Sequence, residues 1–140
     1  MTEPFHGAKI AILVGDQIVT ILRDNILSIP WPDHWDLPGG GRENGENPTE
    51  CALRELHEEL GLIVDPARLT RLTQHASPPS FVWFLVAEWP EFTSSMVHFG
   101  EEGQEWRLVS IEWFLSHERT IPHLKERLRT YLQHRESRSS

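Results

Sequence analysis

The stretch from Gly39 to Gly61 constrains this chain more than any other. Gly39-Gly40-Gly41 and then Gly45 cannot hold regular structure cheaply, so residues 39–47 are expected to form a loop. Asn47-Pro48-Thr49-Glu50 reads as a helix start: Asn caps, Pro suits the first helical position, and Glu at the third closes a capping box. Gly61 suits the left-handed position that ends the helix. At about 100° per residue, Glu58 and Glu59 fall roughly −60° and +40° from Glu55, so three carboxylates share one face. Leu53, Leu56 and Leu60 form the opposite, core-facing stripe, while the small Cys51 and Ala52 beside the acids are expected to leave room for a ligand.

Like charges at these spacings repel by roughly 0.2–0.5 kcal/mol per pair. Arg54 can pair with Glu58 one turn on, but one guanidinium does not neutralise three carboxylates together with Glu46. A hard divalent cation would, because Mg²⁺ takes oxygen ligands and keeps room for water and phosphate. Taken alone the helix reads first as a solvated acidic face, and the glycine-rich approach is what turns the reading toward a metal site.

The net charge of −8 gives no general attraction to nucleic acid polymer or anionic lipid, so any phosphate handled here needs cations placed locally. Six Trp among 140 residues mark a folded chain, expected as a single domain over residues 1–140 with a polar tail at 136–140. No apolar run is long enough to span a bilayer, and Met1 to Gly7 carries no basic-then-apolar leader, so a cytoplasmic protein is expected. Cys51 is the only cysteine, and the eight His show no zinc-ligand spacing.

Elsewhere, Ala8 to Val14 and Gln17 to Leu22 read as a β-hairpin around Gly15-Asp16. Trp35 to Leu37 is a short strand candidate among prolines, Phe81 to Trp89 a strand buried on both faces, and Glu105 to Val109 another strand. Ile121, Leu124, Leu128 and Leu132 line one stripe of a C-terminal helix. The order predicts an α/β fold with a mixed sheet flanked by helices.

Gly40, Glu46 and the run Arg54-Glu55-Leu56-His57-Glu58-Glu59-Leu60-Gly61-Leu62 together resemble the Nudix box, here residues 40–62, and Trp35 to Gly41 resembles the approach to it. The resemblance implies an α/β/α sandwich and hydrolysis of a pyrophosphate bond in a nucleoside diphosphate derivative, with Mg²⁺ or Mn²⁺ as cofactor. It implies Glu55, Glu58 and Glu59 as metal-binding carboxylates, Glu55 being either a ligand or the base that activates water. Gly40 would bring backbone close to the metal, and Arg54 would orient the carboxylates.

Several features resemble the MutT type, which acts on nucleoside triphosphates. Glu102-Gly103-Gln104 is similar to a loop there, implying that Glu102 completes the metal or water site, and Arg23 matches a position that contacts substrate. His123 stands near the place of a base-reading Asn, and Phe81 and Trp83 share one side of a strand that could floor a base pocket. Pro78-Pro79 is the competing cue, since ADP-ribose hydrolases of the family often carry Pro there. A non-catalytic nucleotide-binding module is the alternative of a different class; such modules tend to lose the Arg-Glu or Glu-Glu pairs that this chain keeps. The expected ligand is therefore a small-molecule nucleotide rather than a polymer or a membrane.

Overall fold

The computed structural model describes residues 4–139. Strands β1 (Gly7–Val14) and β2 (Gln17–Leu22) form the expected hairpin, followed by β3 (Trp35–Asp36), β4 (Gly39–Gly41) and helix α1 (Pro48–Leu60). Then come β5 (Leu69–Ser77), β6 (Ser80–Glu88), β7 (Glu105–Ser110), α2 (Ile111–Ser116) and α3 (Pro122–Ser139). The strand order is β3-β2-β1-β6-β5, with β4 added to β1 and β7 to β2. β1 and β6 run parallel and β1–β2 antiparallel, which makes the sheet mixed.

Both faces of the sheet are covered. Ile10, Ile12 and Leu85 pack with Leu56 and Leu60 of α1, whereas Ala11, Leu13 and Phe84 pack with Phe114 of α2 and Leu124 and Leu128 of α3. Two covered faces explain why β1 and β6 are nearly continuous apolar runs rather than alternating ones. Among the described residues no helix is long and apolar enough to cross a membrane.

The start of α1 is built as its sequence directs. Asn47 Oδ1 accepts the Glu50 N–H at 2.8 Å, and Glu50 Oε1 accepts the Asn47 N–H at 2.9 Å. Gly61, at φ 67°, closes the helix with its N–H on the His57 carbonyl.

The opening of the sheet is what positions the site. β1 and β2 keep only the pairs Leu13↔Ile18 and Val14↔Gln17 before they diverge. β3 then lies against β2 and β4 against β1, joined through Leu37-Pro38, so the two sides of the fork face one another.

Several expectations need correction. Gly39 to Gly41 form a strand rather than a loop, because here glycine serves close approach: at Gly39, φ 139°, an added Cβ would stand 2.1 Å from the Ala8 carbonyl oxygen. Cys51 and Ala52 leave no open room beside the acids, since both are fully buried and β4 crosses over them, with the Cys51 thiol donating to the Gly40 carbonyl at 3.6 Å. Residues 136–139 continue α3 instead of forming a tail, while Ser140 and Met1 to Glu3 lie outside the described residues. β5 and α2 were not foreseen. β5 is a polar edge strand that depends on pairing with β6, and α2 is short, capped by Ser110 accepting the Trp113 N–H.

Gly39 and Gly45 both hold positive φ, but an added Cβ meets backbone only at Gly39. Backbone strain alone costs about 1–3 kcal/mol. Gly39→Ala is expected to lower stability clearly more than Gly45→Ala in urea unfolding; equal midpoints would show that β4 is not clamped against β1.

Candidate active site

Arg54 organises one side of the acidic helix. Its Nε donates to Glu46 Oε2 at 2.6 Å, its Nη1 lies 3.0 Å from Glu55 Oε1 and 3.2 Å from Glu58 Oε1, and its Nη2 donates to the Gly41 carbonyl at 2.7 Å. The guanidinium holds the Glu46 carboxyl below the usual carboxylate range, and its own pKa is raised by the same contact. Arg54 thus fastens β4 to α1 while aligning the carboxylates beside it. Glu55 in turn abuts Gly40, where an added Cβ would stand 2.7 Å from Glu55 Oε2.

Glu59 is in a different state. Its Oε1 accepts the Gly39 N–H at 2.7 Å, and burial pushes its pKa up to about 7 despite that bond and Lys9. Glu55 and Asp36 push in the same direction as burial. Burial beside two other acids thus outweighs the Gly39 bond and the Lys9 charge.

Lys9 and Asp36 are site residues that sequence reasoning missed. Buried Asp36 takes Lys9 Nζ and Arg23 Nη1 on the same Oδ2, each at 2.9 Å, while its Oδ1 accepts the Leu37 N–H. One signal was available: Lys9 is the single charged residue in the apolar run of β1.

A cleft of about 600 Å³ opens between β4 and the end of α1, lined by Lys9, Arg23, Gly39 to Gly41, Glu55, Glu58, Glu59 and Gly100 to Glu102. A smaller cavity of about 280 Å³ adjoins it and shares Arg23, Glu59 and Glu102, with Ile21, Ile29 and Leu37 as apolar walls. The loop carrying Glu101 and Glu102 is held over α1 by the Gly100 N–H on the Glu59 carbonyl at 2.8 Å. Both acids face the larger cleft, and Glu102 lines the smaller one as well.

Gly40, Arg23, Glu55, Glu58, Glu59 and Glu102 are thus brought to one cleft, with Arg54 bonded to its carboxylates. Phe81, Trp83 and His123 do not line it. Trp83 packs into the core under α1, Phe81 stands exposed at the start of β6, and His123 opens α3 with its ring edge toward Trp31. Pro78-Pro79 form the two-residue turn between β5 and β6, a local reason for proline that involves no ligand.

Among the described residues no three His, Cys, Asp or Glu side chains form a ready cation cage. Glu55 and Glu58 are turned to Arg54, and Glu59 to Gly39. The donor set is nonetheless oxygen throughout, and Glu59 is held close enough to Glu55 and Asp36 for their charges to act on it, both of which fit a hard divalent cation.

A mixed sheet between helical layers, with a glycine strand laid against an acidic helix, defines an α/β/α sandwich whose cleft is suited to phosphate chemistry. The NUDIX domain model matches residues 4–131, and the chain belongs to the Nudix family. It is 40% identical over 58 residues to an 8-oxo-dGTP diphosphatase of Proteus vulgaris, covering 39% of this chain and 52% of that protein. It is 33% identical over 84 residues to an RNA pyrophosphohydrolase of Roseobacter denitrificans, covering 60% of this chain and 49% of that one. The chain thus spans about half the length of these curated relatives. The crystal structure of a MutT protein from Methanosarcina mazei superposes with a TM-score of 0.74 over 96% of this chain and 98% of that one, at 20% identity.

The pKa of Glu59 makes a signed prediction for the metal-free protein. With the folded value raised from 4.5 to about 7, this group's favourable contribution is complete below about pH 4.5 and lost as pH rises through about 7. In chelator, Glu59→Gln is therefore expected to raise Tm at pH 8 and to leave it unchanged at pH 4.5. A wild-type advantage at pH 8 would mean that Glu59 is already adequately neutralised.

Proposed function

We propose that the protein is a divalent-metal-dependent pyrophosphohydrolase that cleaves a nucleoside triphosphate to the monophosphate and pyrophosphate. The observation that carries this reading is the convergence of Glu55, Glu58, Glu59 and Glu102 with Lys9 and Arg23 on one cleft. Carboxylates alone would repel a polyphosphate; a cation held among them reverses that sign. Nudix hydrolases generally depend on such an ion. Glu55, Glu58 and Glu59 would hold Mg²⁺ or Mn²⁺, with the Gly40 backbone close by. The bound ion would neutralise phosphate oxygens and favour hydroxide over water.

The remaining steps fall to the chain's own side chains. Arg54 keeps Glu55 and Glu58 aligned through bonds of 3.0 and 3.2 Å and is a positioning residue. Glu55 or Glu102 takes the proton from the attacking water, whose oxygen bonds to phosphorus as the bridging P–O bond breaks. Arg23 and Lys9 offer positive charge to the phosphates. The intact set of Arg54 with Glu46, Glu55 and Glu58 favours an enzyme over a binding module, since a module needs neither a base nor an orienting Arg. A cytoplasmic setting and a small-molecule ligand belong to the same proposal, supported by the acidic surface and the free, buried Cys51.

The deciding assay offers nucleoside triphosphates, oxidised ones included, and ADP-ribose with Mg²⁺ and identifies products. Triphosphates are expected to give a monophosphate and pyrophosphate with the higher kcat/KM; preference for ADP-ribose, released as AMP and ribose phosphate, would reverse the ranking. Excess chelator is expected to abolish turnover, and Glu58→Gln to lower kcat by orders of magnitude with the fold intact. Full activity in chelator would reject the metal assignment.

Glu102 and Glu101 separate a general base from general loop charge. A positioned base contributes typically about 10² to 10⁴ in rate. Glu102→Gln is expected to lower kcat at least tenfold and Glu101→Gln by no more than about twofold. Since both acids line the cleft, equal losses would assign the effect to the field of the loop.

A further inference from the structure

Beyond the three residues it shares with the carboxylate cleft, the smaller cavity is walled by Ile21, Ile29 and Leu37, by Asp24 and Asp36, and by Gly103. Its size and charge decide what can enter. At about 280 Å³ it is smaller than the roughly 300–1,000 Å³ of pockets that enclose a whole drug-sized ligand, so it takes part of one. Arg23 is the one cation on its lining, and two of its nitrogens are engaged, Nη1 by Asp36 and Nε by the Pro30 carbonyl. The acids Asp24, Asp36, Glu59 and Glu102 outnumber it, so a phosphate is repelled there. With the phosphates in the adjoining cleft, the uncharged base is the part of a nucleotide that fits between the apolar walls.

Three of the four acids are already committed. Asp36 Oδ2 takes Lys9 and Arg23 while its Oδ1 takes the Leu37 N–H, Glu59 accepts the Gly39 N–H, and Glu59 and Glu102 both face the larger cleft. Asp24 is not. Its Oδ2 accepts the Gly103 N–H at 3.3 Å, one long bond against the four or so lone-pair sites that a carboxylate presents. Its backbone is nonetheless fixed: the Asp24 carbonyl accepts the Asp33 N–H at 3.1 Å, and the preceding Arg23 carbonyl accepts Gln104 Nε2 at 2.8 Å. A carboxylate held in place with acceptor capacity to spare is preorganised for a ligand that brings donors.

Resting on the hydrolase reading above, we propose that Asp24 reads the base of the substrate in this cavity and selects guanine. A carboxylate offers acceptors only. Guanine presents its N1–H and 2-amino group side by side, which matches the two carboxylate oxygens as a bidentate pair. Adenine and cytosine set a ring-nitrogen acceptor beside their amino group, and uracil flanks its N3–H with two carbonyls, so each turns a lone pair on a carboxylate oxygen. Oxidation at C8 leaves the guanine N1 and 2-amino edge unchanged, so Asp24 admits oxidised guanine as well. Asp24 thus determines specificity and takes no part in breaking the P–O bond.

The test begins without turnover. Guanosine, inosine, xanthosine and adenosine monophosphates are titrated into the full chain with Mg²⁺ by calorimetry; inosine lacks the 2-amino group, and xanthosine carries a carbonyl in its place. The wild type is expected to bind the guanosine nucleotide at least about tenfold more tightly than the other three. Asp24→Asn keeps the shape and an acceptor for Gly103 but turns one oxygen into a donor. It is expected to bind the xanthosine nucleotide at least about fivefold more tightly than the guanosine one, an exchange that a loosened loop does not produce. Ile29→Ala, which trims an apolar wall, is expected to weaken all four and to keep the guanosine-to-xanthosine ratio within about twofold of wild type. No saturable guanosine monophosphate binding, equal binding of the guanosine and inosine nucleotides, or an unchanged ratio in Asp24→Asn would each overturn the assignment. Kinetics with the corresponding triphosphates then separate it from the hydrolase reading. Turnover without base preference would keep the hydrolase and overturn the role of Asp24. Absence of all turnover with the monophosphate order intact would reject the hydrolase reading and leave Asp24 as the residue that reads the base.

Discussion

The structure depends on how closely β4 is pressed between β1 and α1. Three bonds hold it from the helix side: Arg54 Nη2 on the Gly41 carbonyl at 2.7 Å, the Gly39 N–H on Glu59 at 2.7 Å, and the Cys51 thiol on the Gly40 carbonyl at 3.6 Å. From the other side, β4 is in register with Gly7, Ala8 and Lys9. An added Cβ would meet the Ala8 backbone at Gly39 and the Glu55 carboxylate at Gly40, so these two glycines are required by space, and the β4 backbone forms one wall of the cleft. Displace β4 and the carboxylates lose both their orienting contacts and the wall they face.

That same packing divides the acidic face of α1 electrostatically. Near Arg54 the acids are well compensated, and Glu46 is held below its ordinary range. At Glu59 the guanidinium is out of reach, Lys9 is shared with Asp36, and burial prevails, so the carboxyl rises to about 7. One arginine can align several carboxylates, yet it cannot neutralise all of them.

How legible this was follows from the range of the interactions concerned. The capping box of Asn47 and Glu50, the Gly61 terminus and the acidic stripe are set within a few residues, so the helix and its carboxylates could be read directly. β4 could not, because a three-glycine strand exists only through its partners on β1 and α1. Lys9 and Asp36 are 27 positions apart and meet only when β1 and β3 close the fork. Cys51 and Ala52 illustrate the converse error: a helical wheel places them beside the acids, but only tertiary structure reveals which flank β4 covers. Phe81 and Trp83 do share a strand face, and which cavity that face reaches was again a tertiary question.

Arg23 shows why a residue's presence in a cleft does not fix its part there. Its Nη1 is engaged by Asp36 and its Nε by the Pro30 carbonyl, each at 2.9 Å, so it already ties the end of β2 to the segment before β3. That segment is further pinned by Gln104 on Asp33 at 2.7 Å and by Arg119 on Asp33 at 3.1 Å. A phosphate drawing on Arg23 has two routes: it takes the donors left unused, or it competes with Asp36 and releases Lys9 as well. The second route exchanges one buried anion for another around the same two cations. Lys9 and Arg23 are therefore joined through Asp36, so a change at Arg23 alters the balance of charge at Lys9 as well.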